Sequence, residues 1–235
     1  MTVELLHHTP LWIASRAIRR CWASEDKSDT GYCPQCETDA YGYEYDGTNA
    51  ECFKCGTRFS LTKIGVKDKE LIHRVGNKNK HASTLEHINY TFDIDSISRA
   101  LLQELARHRH ASISVKSSRY TLKELKNTNT VEELRPFLVL TGDDYVDDLA
   151  LGNLHNTRKG LKQGLSNDVV KYSLPEAYKT SCVWTINLRS LQNFLELRTN
   201  KAALWEIREL AYTIFDNLPE EHRYLLEEFL YKEEK

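Results

Sequence analysis

The sequence lacks several features that would place it in a well-known class of protein. No apolar run approaches the length needed to cross a membrane, and the first residues do not have the layout of a signal peptide. There is no glycine-rich dinucleotide fingerprint after a strand, and no phosphate loop ends in Gly-Lys-Ser or Gly-Lys-Thr. Internal repeats and low-complexity segments are also absent. We therefore expect a cytoplasmic protein that must hold any phosphate with side chains.

The chain also lacks an excess of either charge. Its formal net charge is −2, whereas a generic nucleic-acid-binding protein normally carries an overall basic excess. Charged residues make up 28% and hydrophobic residues 40% of the chain, which is typical of a globular protein. A length of 235 residues suits one domain with a sizeable core, with room for a small appendage.

Four of the six cysteines form two closely spaced pairs. Cys33 and Cys36 are followed by fifteen residues and then by Cys52 and Cys55, a spacing that is typical of zinc sites. Four thiolates leave no open position on a tetrahedral ion, so we expect a structural zinc. Two disulfides or two redox pairs are the alternatives, and both need an oxidising compartment or a thioredoxin-like context that the sequence does not indicate.

The segment between the cysteine pairs has the pattern of a zinc ribbon. Tyr41, Tyr43 and Tyr45 alternate with other residues before Asp46-Gly47, which predicts a strand that enters a hairpin turn. Together with the cysteines, this pattern predicts an inserted lobe over residues 31–65, within a main domain made of residues 1–30 and 66–235.

The rest of the chain shows mostly helical periodicity. It predicts helices over 11–22, 67–77, 96–105, 144–165, 204–218 and 219–231, and strands over 86–94 and 136–141. In the first strand Ile88, Tyr90, Phe92 and Ile94 share one face, and Asp95 is placed to cap the next helix. These elements predict an α+β fold in which a modest sheet packs against several helices.

A basic run lies between two well-patterned segments. Residues 107–119 contain Arg107, Arg109, Lys116 and Arg119, with histidines and hydroxyl groups between them. Arginine offers a planar fork of donors that matches phosphate oxygens, so this density of charge indicates a phosphate or pyrophosphate site. A solvated basic face or a nucleic-acid stripe is the alternative.

A second polar cluster interrupts an apolar helical pattern near the C-terminal third of the chain. Arg189 and Asn193 are four residues apart and share a helical face with each other, whereas Arg198 lies off that stripe. Three interpretations remain open: polar residues that face solvent, a helix between two binding surfaces, or an oligomer whose subunits share a site.

These motifs together resemble one family. Arg107-His108-Arg109, seven residues and then Ser117 form the signature of the flavin-dependent thymidylate synthases. The resemblance also takes in the segment 8–10, the stretch 81–87, the stretch 187–198 and the segment 203–207, and only residues near 31–65 lie outside it. It implies a small, mostly antiparallel sheet packed with helices, in a homotetramer whose subunits share active sites.

The resemblance implies a reductive methylation of dUMP to dTMP. Methylenetetrahydrofolate supplies the carbon, and FAD reduced by NADPH supplies the electrons. The resemblance assigns these residues to FAD: His81, Ser83, Glu86, Arg107, His108, Arg109, His110, Asn187, Arg189 and Asn193. It assigns these residues to dUMP: Glu104, Arg107, Ser117, Arg119, Lys171 and Arg198. Arg198 is also the expected catalytic residue, as the cation that polarises the pyrimidine.

Some positions depart from the family pattern. Ala202 and Leu204 stand where some relatives have His and Gln, and Lys171 replaces an arginine, which keeps the charge but loses the planar fork. Ser114 and Val115 also imply altered polar contacts. None of these changes removes the groups that the chemistry needs.

The cysteines outside the ribbon bear on the reaction type. A flavin-free thymidylate synthase needs a thiolate nucleophile, but Cys21 and Cys182 have no evident activating partner and are expected to be core residues. Ser117 has no adjacent base and is therefore assigned to binding.

Two other functions compete with the enzyme. One is a zinc-ribbon protein that binds nucleic acid through residues 107–119, which the acidic balance disfavours. The other is a degenerate relative that only binds ligands, which the intact Arg107, Ser117, Arg119 and Arg198 disfavour.

Overall fold

The structure is a computed structural model that describes residues 1–30, 33, 35, 49–52, 54–60 and 64–232. Three of the predicted features lie outside the described residues: Cys36, the strand through Tyr41, Tyr43 and Tyr45, and the turn at Asp46-Gly47. In the described part of the chain, no helix is both long and apolar enough to cross a membrane.

The described strands form one sheet and one separate hairpin. The strands are β1 (Thr2–His8), β2 (Asn49–Glu51), β3 (Arg58–Ser60), β4 (Asn89–Ser98), β5 (Ala111–Val115) and β6 (Lys179–Asn187). The sheet has the order β1-β4-β6-β5, and every neighbouring pair in it is antiparallel. The two short strands β2 and β3 pair with each other, apart from this sheet.

Helices of very different length surround the sheet. The α-helices are α1 (Trp12–Cys21), α2 (Val66–Ile72), α3 (Arg99–Leu105), α4 (Ser118–Thr121), α5 (Lys123–Lys126), α6 (Asp144–Lys162), α7 (Asn167–Val170), α8 (Leu188–Arg198), α9 (Trp205–Asp216) and α10 (Glu220–Arg223). A π-helical turn, His73–Lys78, continues α2, and a 3₁₀ segment, Ala82–His87, leads into β4. The expected α+β fold with a small antiparallel sheet is confirmed.

The main core lies on one face of the central strand β4. Tyr90, Phe92 and Ile94 are fully buried there, as the alternating pattern predicted, and Trp184 of β6 packs beside Phe92. Full burial of an apolar side chain of this size stabilises the fold by about 1.5–3 kcal/mol. A second, smaller core, which includes Leu154, joins α6 to the segments around it.

The predicted strands need correction at several points. β4 begins three residues later than predicted, because the residues before it form the 3₁₀ segment, and it continues to Ser98. The predicted strand over 136–141 is wrong: Glu132–Phe137 is a 3₁₀ helix, and Leu138 makes only an isolated bridge with Tyr178. β1, β5 and β6 were not predicted.

The cap of α3 also differs from the prediction. Asp95 does not cap this helix; the N-cap residue is Ser98, whose hydroxyl accepts a hydrogen bond from Leu101 N at 2.9 Å. The buried carboxylate of Glu206 in α9 accepts hydrogen bonds from Ser98 N, at 2.8 Å, and from the Ser98 hydroxyl. This network fixes the start of α3, which is the helix that leads into the basic run.

The helix boundaries were predicted less well than the helices themselves. Gly76 does not end the second helix, because it lies inside the π-helical turn. α6 runs unbroken through Gly152 and Gly160, whereas the predicted final helix over 219–231 is only a short helix followed by a 3₁₀ turn. Cys21 at the end of α1 is exposed, so its assignment to the core was wrong, while Cys182 is buried as expected.

Candidate active site

The basic run begins where α3 ends. The backbone closes a tight turn there, with Arg107 N bonded to Glu104 O at 3.3 Å and His108 N bonded to Leu105 O at 3.1 Å. Residues 107–110 then connect α3 to the edge strand β5. The burial of Leu101 and Leu105 against the core holds α3, so the run has a fixed starting point on the sheet.

The run forms one wall of a cavity of about 1140 Å³. The cavity is open to solvent, and α8 forms the opposite wall. These predicted residues line it: Glu86, Arg107, His108, Arg109, His110, Asn187, Arg189, Asn193 and Arg198. The structure therefore brings together two polar clusters that are far apart in sequence, and the solvated-face interpretation does not explain their convergence.

Helix α8 is positioned by its own N-cap. Asn187 is the last residue of β6, and its side-chain oxygen accepts a hydrogen bond from Ser190 N at 2.8 Å. Arg198, at the other end of α8, lies off the stripe of Arg189 and Asn193 but lines the same cavity, so its position does not require a second binding surface. The cavity extends along the helix and around its C-terminal end, where Asn200 also lines it.

The Arg198 guanidinium is held on two sides. Its Nη1 lies 2.8 Å from a carboxylate oxygen of Glu104, and its Nε donates a hydrogen bond of 3.0 Å to Nε2 of His108. The His108 ring packs edge-on against Phe194 with a centroid distance of 4.9 Å. Burial, and then the positive charge of Arg198, lower the pKa of His108 to about 4. His108 is therefore neutral near pH 7.

A second ion pair lies on the rim of the cavity. Arg189 Nη1 donates to the Glu86 carboxylate at 2.7 Å, and both side chains are about half exposed. Glu86 belongs to the 3₁₀ segment that also contains Ser83 and that follows His81. Those two residues are exposed and do not line the cavity in this chain.

The remaining residues predicted for dUMP lie elsewhere. Ser117 begins α4, and Arg119 makes a bidentate contact with Asp168, at 2.7 and 3.1 Å. Asp168 and Lys171 lie close to each other, because both belong to the segment around α7. β5 separates this group from the cavity, and five residues of strand span roughly 16 Å. One chain therefore does not bring its two halves of the predicted dUMP site together.

Some residues of these sites were not predicted. Ser190, Glu196 and Asn200 line the cavity. The helical spacing of Asn193, Glu196 and Asn200 is a signal that could have identified two of them. Asp168, the partner of Arg119, lies 49 residues away in sequence, and no local pattern indicates that pairing.

Three of the four cysteines predicted to bind zinc are described, and they form a compact cluster. The sulfur atoms of Cys33, Cys52 and Cys55 all lie within 4.8 Å of one another, with Cys33 Sγ and Cys55 Sγ 3.4 Å apart. Gly56, with a φ of +71°, allows the chain to turn back so that Gly56 N bonds to Cys52 O at 2.7 Å. Zinc–sulfur bonds of about 2.3 Å in a tetrahedron place sulfurs about 3.8 Å apart, so the spacing fits a zinc ion.

Comparisons with known proteins agree on one family. The family described as thymidylate synthase complementing protein matches residues 4–222. The chain is 52% identical over 230 residues to the flavin-dependent thymidylate synthase of Wolinella succinogenes, which covers 96% of this chain and 97% of that protein. It is 48% identical over 238 residues to the enzyme of the same name from Campylobacter jejuni, and 99% of each chain is covered.

A solved structure has the same fold. The crystal structure of thymidylate synthase X from Helicobacter pylori with FAD and dUMP superposes with a TM-score of 0.82 at 44% identity. The match covers 99% of this chain and 100% of that chain. Residues 31–65, which we predicted to be an insertion, therefore lie within the length that the two chains share.

Proposed function

The chain belongs to the family of flavin-dependent thymidylate synthases, and on that premise we propose that it methylates dUMP at C5 to give dTMP. Methylenetetrahydrofolate is the proposed one-carbon donor and NADPH the proposed reductant. A methylene group needs two electrons to become a methyl group, and NADPH supplies them, so the folate leaves as tetrahydrofolate. The observation that carries this proposal is the convergence of Arg107, Arg109, Arg189 and Arg198 on one cavity.

The residues of the cavity fit FAD. Arginine forks suit a pyrophosphate, and the side-chain amides of Asn187 and Asn193 suit hydrogen bonding to a flavin or a ribose. One of the carboxylates that line the cavity, Glu86, is already paired with Arg189. FAD, when bound, supplies the redox chemistry that completes the methyl group, while the protein supplies placement and charge. His81 and Ser83 are proposed to contact FAD from a neighbouring subunit.

Arg198 is the proposed catalytic residue. A fixed cation beside a uracil oxygen stabilises the negative charge that develops as C5 becomes nucleophilic. The contact with Glu104 supports this role, because it orients the guanidinium before the substrate binds. Arg107 and Glu104 are proposed to complete the part of the dUMP site that this chain contributes to the cavity.

The phosphate of dUMP is proposed to bind to Ser117, Arg119 and Lys171. Because this group lies beyond β5, we propose that it serves the cavity of another subunit in a homotetramer. Large apolar side chains that are exposed in the single chain support a subunit interface, among them Tyr145, Tyr172 and Val169.

We also propose that residues 31–65 form a zinc-binding lobe outside the main domain of residues 1–30 and 66–235. Cys33, Cys36, Cys52 and Cys55 are the proposed ligands, and the sulfur spacing of the three described cysteines supports the site. With four thiolates the ion has no open position, so its proposed role is structural.

The first experiment is an assay of dTMP formation by the purified protein. The assay contains FAD, NADPH, methylenetetrahydrofolate and dUMP, and each component is omitted in turn. The expected result is dTMP only in the complete mixture, with tetrahydrofolate as the other product. NADPH oxidation without dTMP would contradict the proposed substrate, and a protein that neither binds FAD nor oxidises NADPH would contradict the proposal as a whole.

The phosphate site can be tested with a matched pair of variants. Arg119→Gln should raise the KM for dUMP at least about tenfold, while the Kd of FAD stays within about twofold. The control is Arg20→Gln. Arg20 is an exposed arginine of α1 that also forms an ion pair, with Glu25, but does not belong to the proposed site. An unchanged KM for dUMP in Arg119→Gln would remove this residue from the site.

A further inference from the structure

The contact between Arg198 and His108 has only one possible direction. Arginine remains protonated in proteins and has no acceptor atom, so its Nε can only donate. The Nε2 atom of His108, 3.0 Å away, must therefore carry a lone pair. It follows that His108 is neutral, with its single ring proton on Nδ1.

The surroundings of His108 keep the ring in that state. Arg198 on α8 and Arg107 in the same loop both oppose a positive charge on the ring, and Glu104 on α3 is the acidic group that favours one. Burial of the ring is the largest effect, the two arginines add to it, and the balance lowers the pKa of His108 to about 4. Phe194 packs against the ring and fixes its orientation.

The contacts divide the donors of Arg198 into two sets. Nε points to His108, Nη1 to the Glu104 carboxylate and Nη2 to the Glu104 carbonyl, at 3.0, 2.8 and 3.3 Å. A guanidinium has five N–H groups, so three are engaged within the protein and two remain for a ligand in the cavity.

We propose that His108 is a positioning residue that orients the Arg198 guanidinium toward the pyrimidine. Its neutral ring does so by accepting a hydrogen bond from Nε–H of Arg198. This inference rests on the proposed function, because the orientation of Arg198 matters only if a pyrimidine binds beside it. It gives His108 a role unlike that of its arginine neighbours: His108 is an acceptor for a protein side chain and not a donor to phosphate. Protonation would place a second cation beside Arg198 and break the contact.

Two substitutions separate this role from simple packing. His108→Gln keeps an acceptor near the position of Nε2, whereas His108→Leu keeps a side chain of useful size without an acceptor. His108→Leu should lower kcat by roughly tenfold or more, and His108→Gln by no more than about threefold. The Kd of FAD should stay within about threefold in both variants, with near-UV circular dichroism as the check of folding.

Equal loss of kcat in the two variants would overturn the proposal, as would a His108→Leu variant with unchanged kcat. A weakening of FAD binding that matches the loss of kcat would also overturn it, because His108 would then act on the cofactor.

A spectroscopic measurement tests the pairing without any substrate. In protein labelled with ¹³C at histidine Cε1, the His108 signal is identified by its loss in His108→Gln. It should not titrate between pH 5.5 and 8, and its pKa should rise in Arg198→Gln because the opposing cation is gone. A His108 signal that titrates near the ordinary value of about 6.5 would overturn the proposal.

The two experiments fail in distinguishable ways. If the wild-type protein makes no dTMP, the proposed function and the positioning role of His108 are both contradicted. The titration then reports only whether His108 is neutral beside Arg198. If dTMP forms but the His108 signal titrates near 6.5, or the two variants do not differ in kcat as expected, only the proposed role of His108 is contradicted.

Discussion

At the scale of single residues, the two cysteines outside the cysteine cluster have opposite surroundings. Cys182 lies on β6 within the main core, where burial, and then the nearby charge of Asp93, raise the pKa of its thiol to about 11. Cys21 is exposed at the end of α1. A buried thiol with a raised pKa is a poor nucleophile, because the thiolate is the reactive form.

We therefore predict that neither cysteine takes part in turnover. Cys182→Ala should lose about 1 kcal/mol of stability through the small cavity it leaves but keep kcat within about twofold, and Cys21→Ser should change neither quantity measurably. Iodoacetamide at pH 8 should modify Cys21 in the native protein and leave Cys182 intact, as read by mass spectrometry. A folded Cys182→Ala protein without turnover would indicate a nucleophilic thiol and contradict the flavin-dependent route.

The types of the side chains predicted which residues line the cavity better than they predicted which of those residues contact each other. Arginines and amides at these spacings are costly to bury in a core, so their types alone indicated a ligand site, and the structure brings most of them together. The neutral state of His108 could not be predicted, because it depends on Arg198, which lies 90 residues away in sequence. The bidentate partner of Arg119 was missed for the same reason.

At the scale of secondary structure, the turn between α2 and β4 is unusually tight. The π-helical turn His73–Lys78 is followed by a backbone bond from His81 N to Val75 O at 3.0 Å. A Cβ atom added to Gly76 would lie 2.7 Å from a methyl carbon of Leu85, which is fully buried. The absence of a side chain at position 76 lets the 3₁₀ segment with Glu86 approach the helix.

A pair of glycine substitutions tests this packing. Gly76→Ala should destabilise the protein by about 1–3 kcal/mol, because the added methyl would press on the fully buried Leu85. Gly152→Ala, in α6, meets nothing within 4 Å and should stabilise the protein by about 0.5–1 kcal/mol through its helix propensity. Urea unfolding of both variants measures the difference. A stabilised Gly76→Ala protein would show that the contact with Leu85 is not tight.

The strands that were not predicted have sequences in which the alternating apolar pattern is weak. On β6, Thr180, Cys182, Trp184 and Ile186 are buried at every second position, but polar residues between and among them weaken the apolar signal. β5 lies inside the basic run, where charge and hydroxyl groups dominate the local composition. An edge strand needs only one paired neighbour, so its own sequence specifies it weakly.

At the scale of the whole molecule, residues 28–30 and 64–68 form a hydrogen-bonded stem on either side of the cysteine-containing segment. The carboxylate of Asp68 has no exposed surface; Arg19 Nε donates to it at 2.6 Å and the Ser28 hydroxyl at 2.5 Å. Asp29 accepts backbone hydrogen bonds from the first turn of α2. Loss of one member of a buried ion pair typically costs 3–5 kcal/mol. We therefore expect these contacts to hold the stem in place without a metal ion at the cysteines.

From this arrangement we predict that zinc is dispensable for the flavin site. Cys33→Ser combined with Cys36→Ser should reduce bound zinc from about one ion per chain to nearly none, because the two remaining thiolates bind it weakly. The Kd of FAD should stay within about twofold, since none of the described residues between 28 and 68 lines the cavity. Zinc is measured by elemental analysis and FAD by fluorescence. Complete loss of flavin binding in a folded variant would show that the lobe supports the active site.

The stability of the whole molecule should depend on its histidines at mildly acidic pH, and His8 and His108 are two of those whose pKa the fold lowers. Burial, and then a neighbouring histidine, His222, lower the pKa of His8, and burial together with Arg198 lowers that of His108. Both histidines bind a proton more weakly in the folded chain than in the unfolded chain, where the value is about 6.5. Unfolding therefore takes up protons below that pH, and this part of the stability is present above pH 6.5 and lost as the pH falls.

We predict that the free energy of unfolding falls between pH 6.5 and about 4, the value for His108, with a share from His108 on the order of 1–2 kcal/mol once partial exposure is discounted. His108→Gln should flatten this slope. Asp147→Asn should leave it unchanged, because backbone hydrogen bonds from Thr141 and Gly142 lower the pKa of Asp147 below 3.8 and its effect begins only there. Urea unfolding of flavin-free protein in the Cys33→Ser, Cys36→Ser background measures the slope without contributions from zinc release. An equal slope with and without His108 would mean that this ring carries no linked proton, and that the Arg198 contact does not hold it neutral.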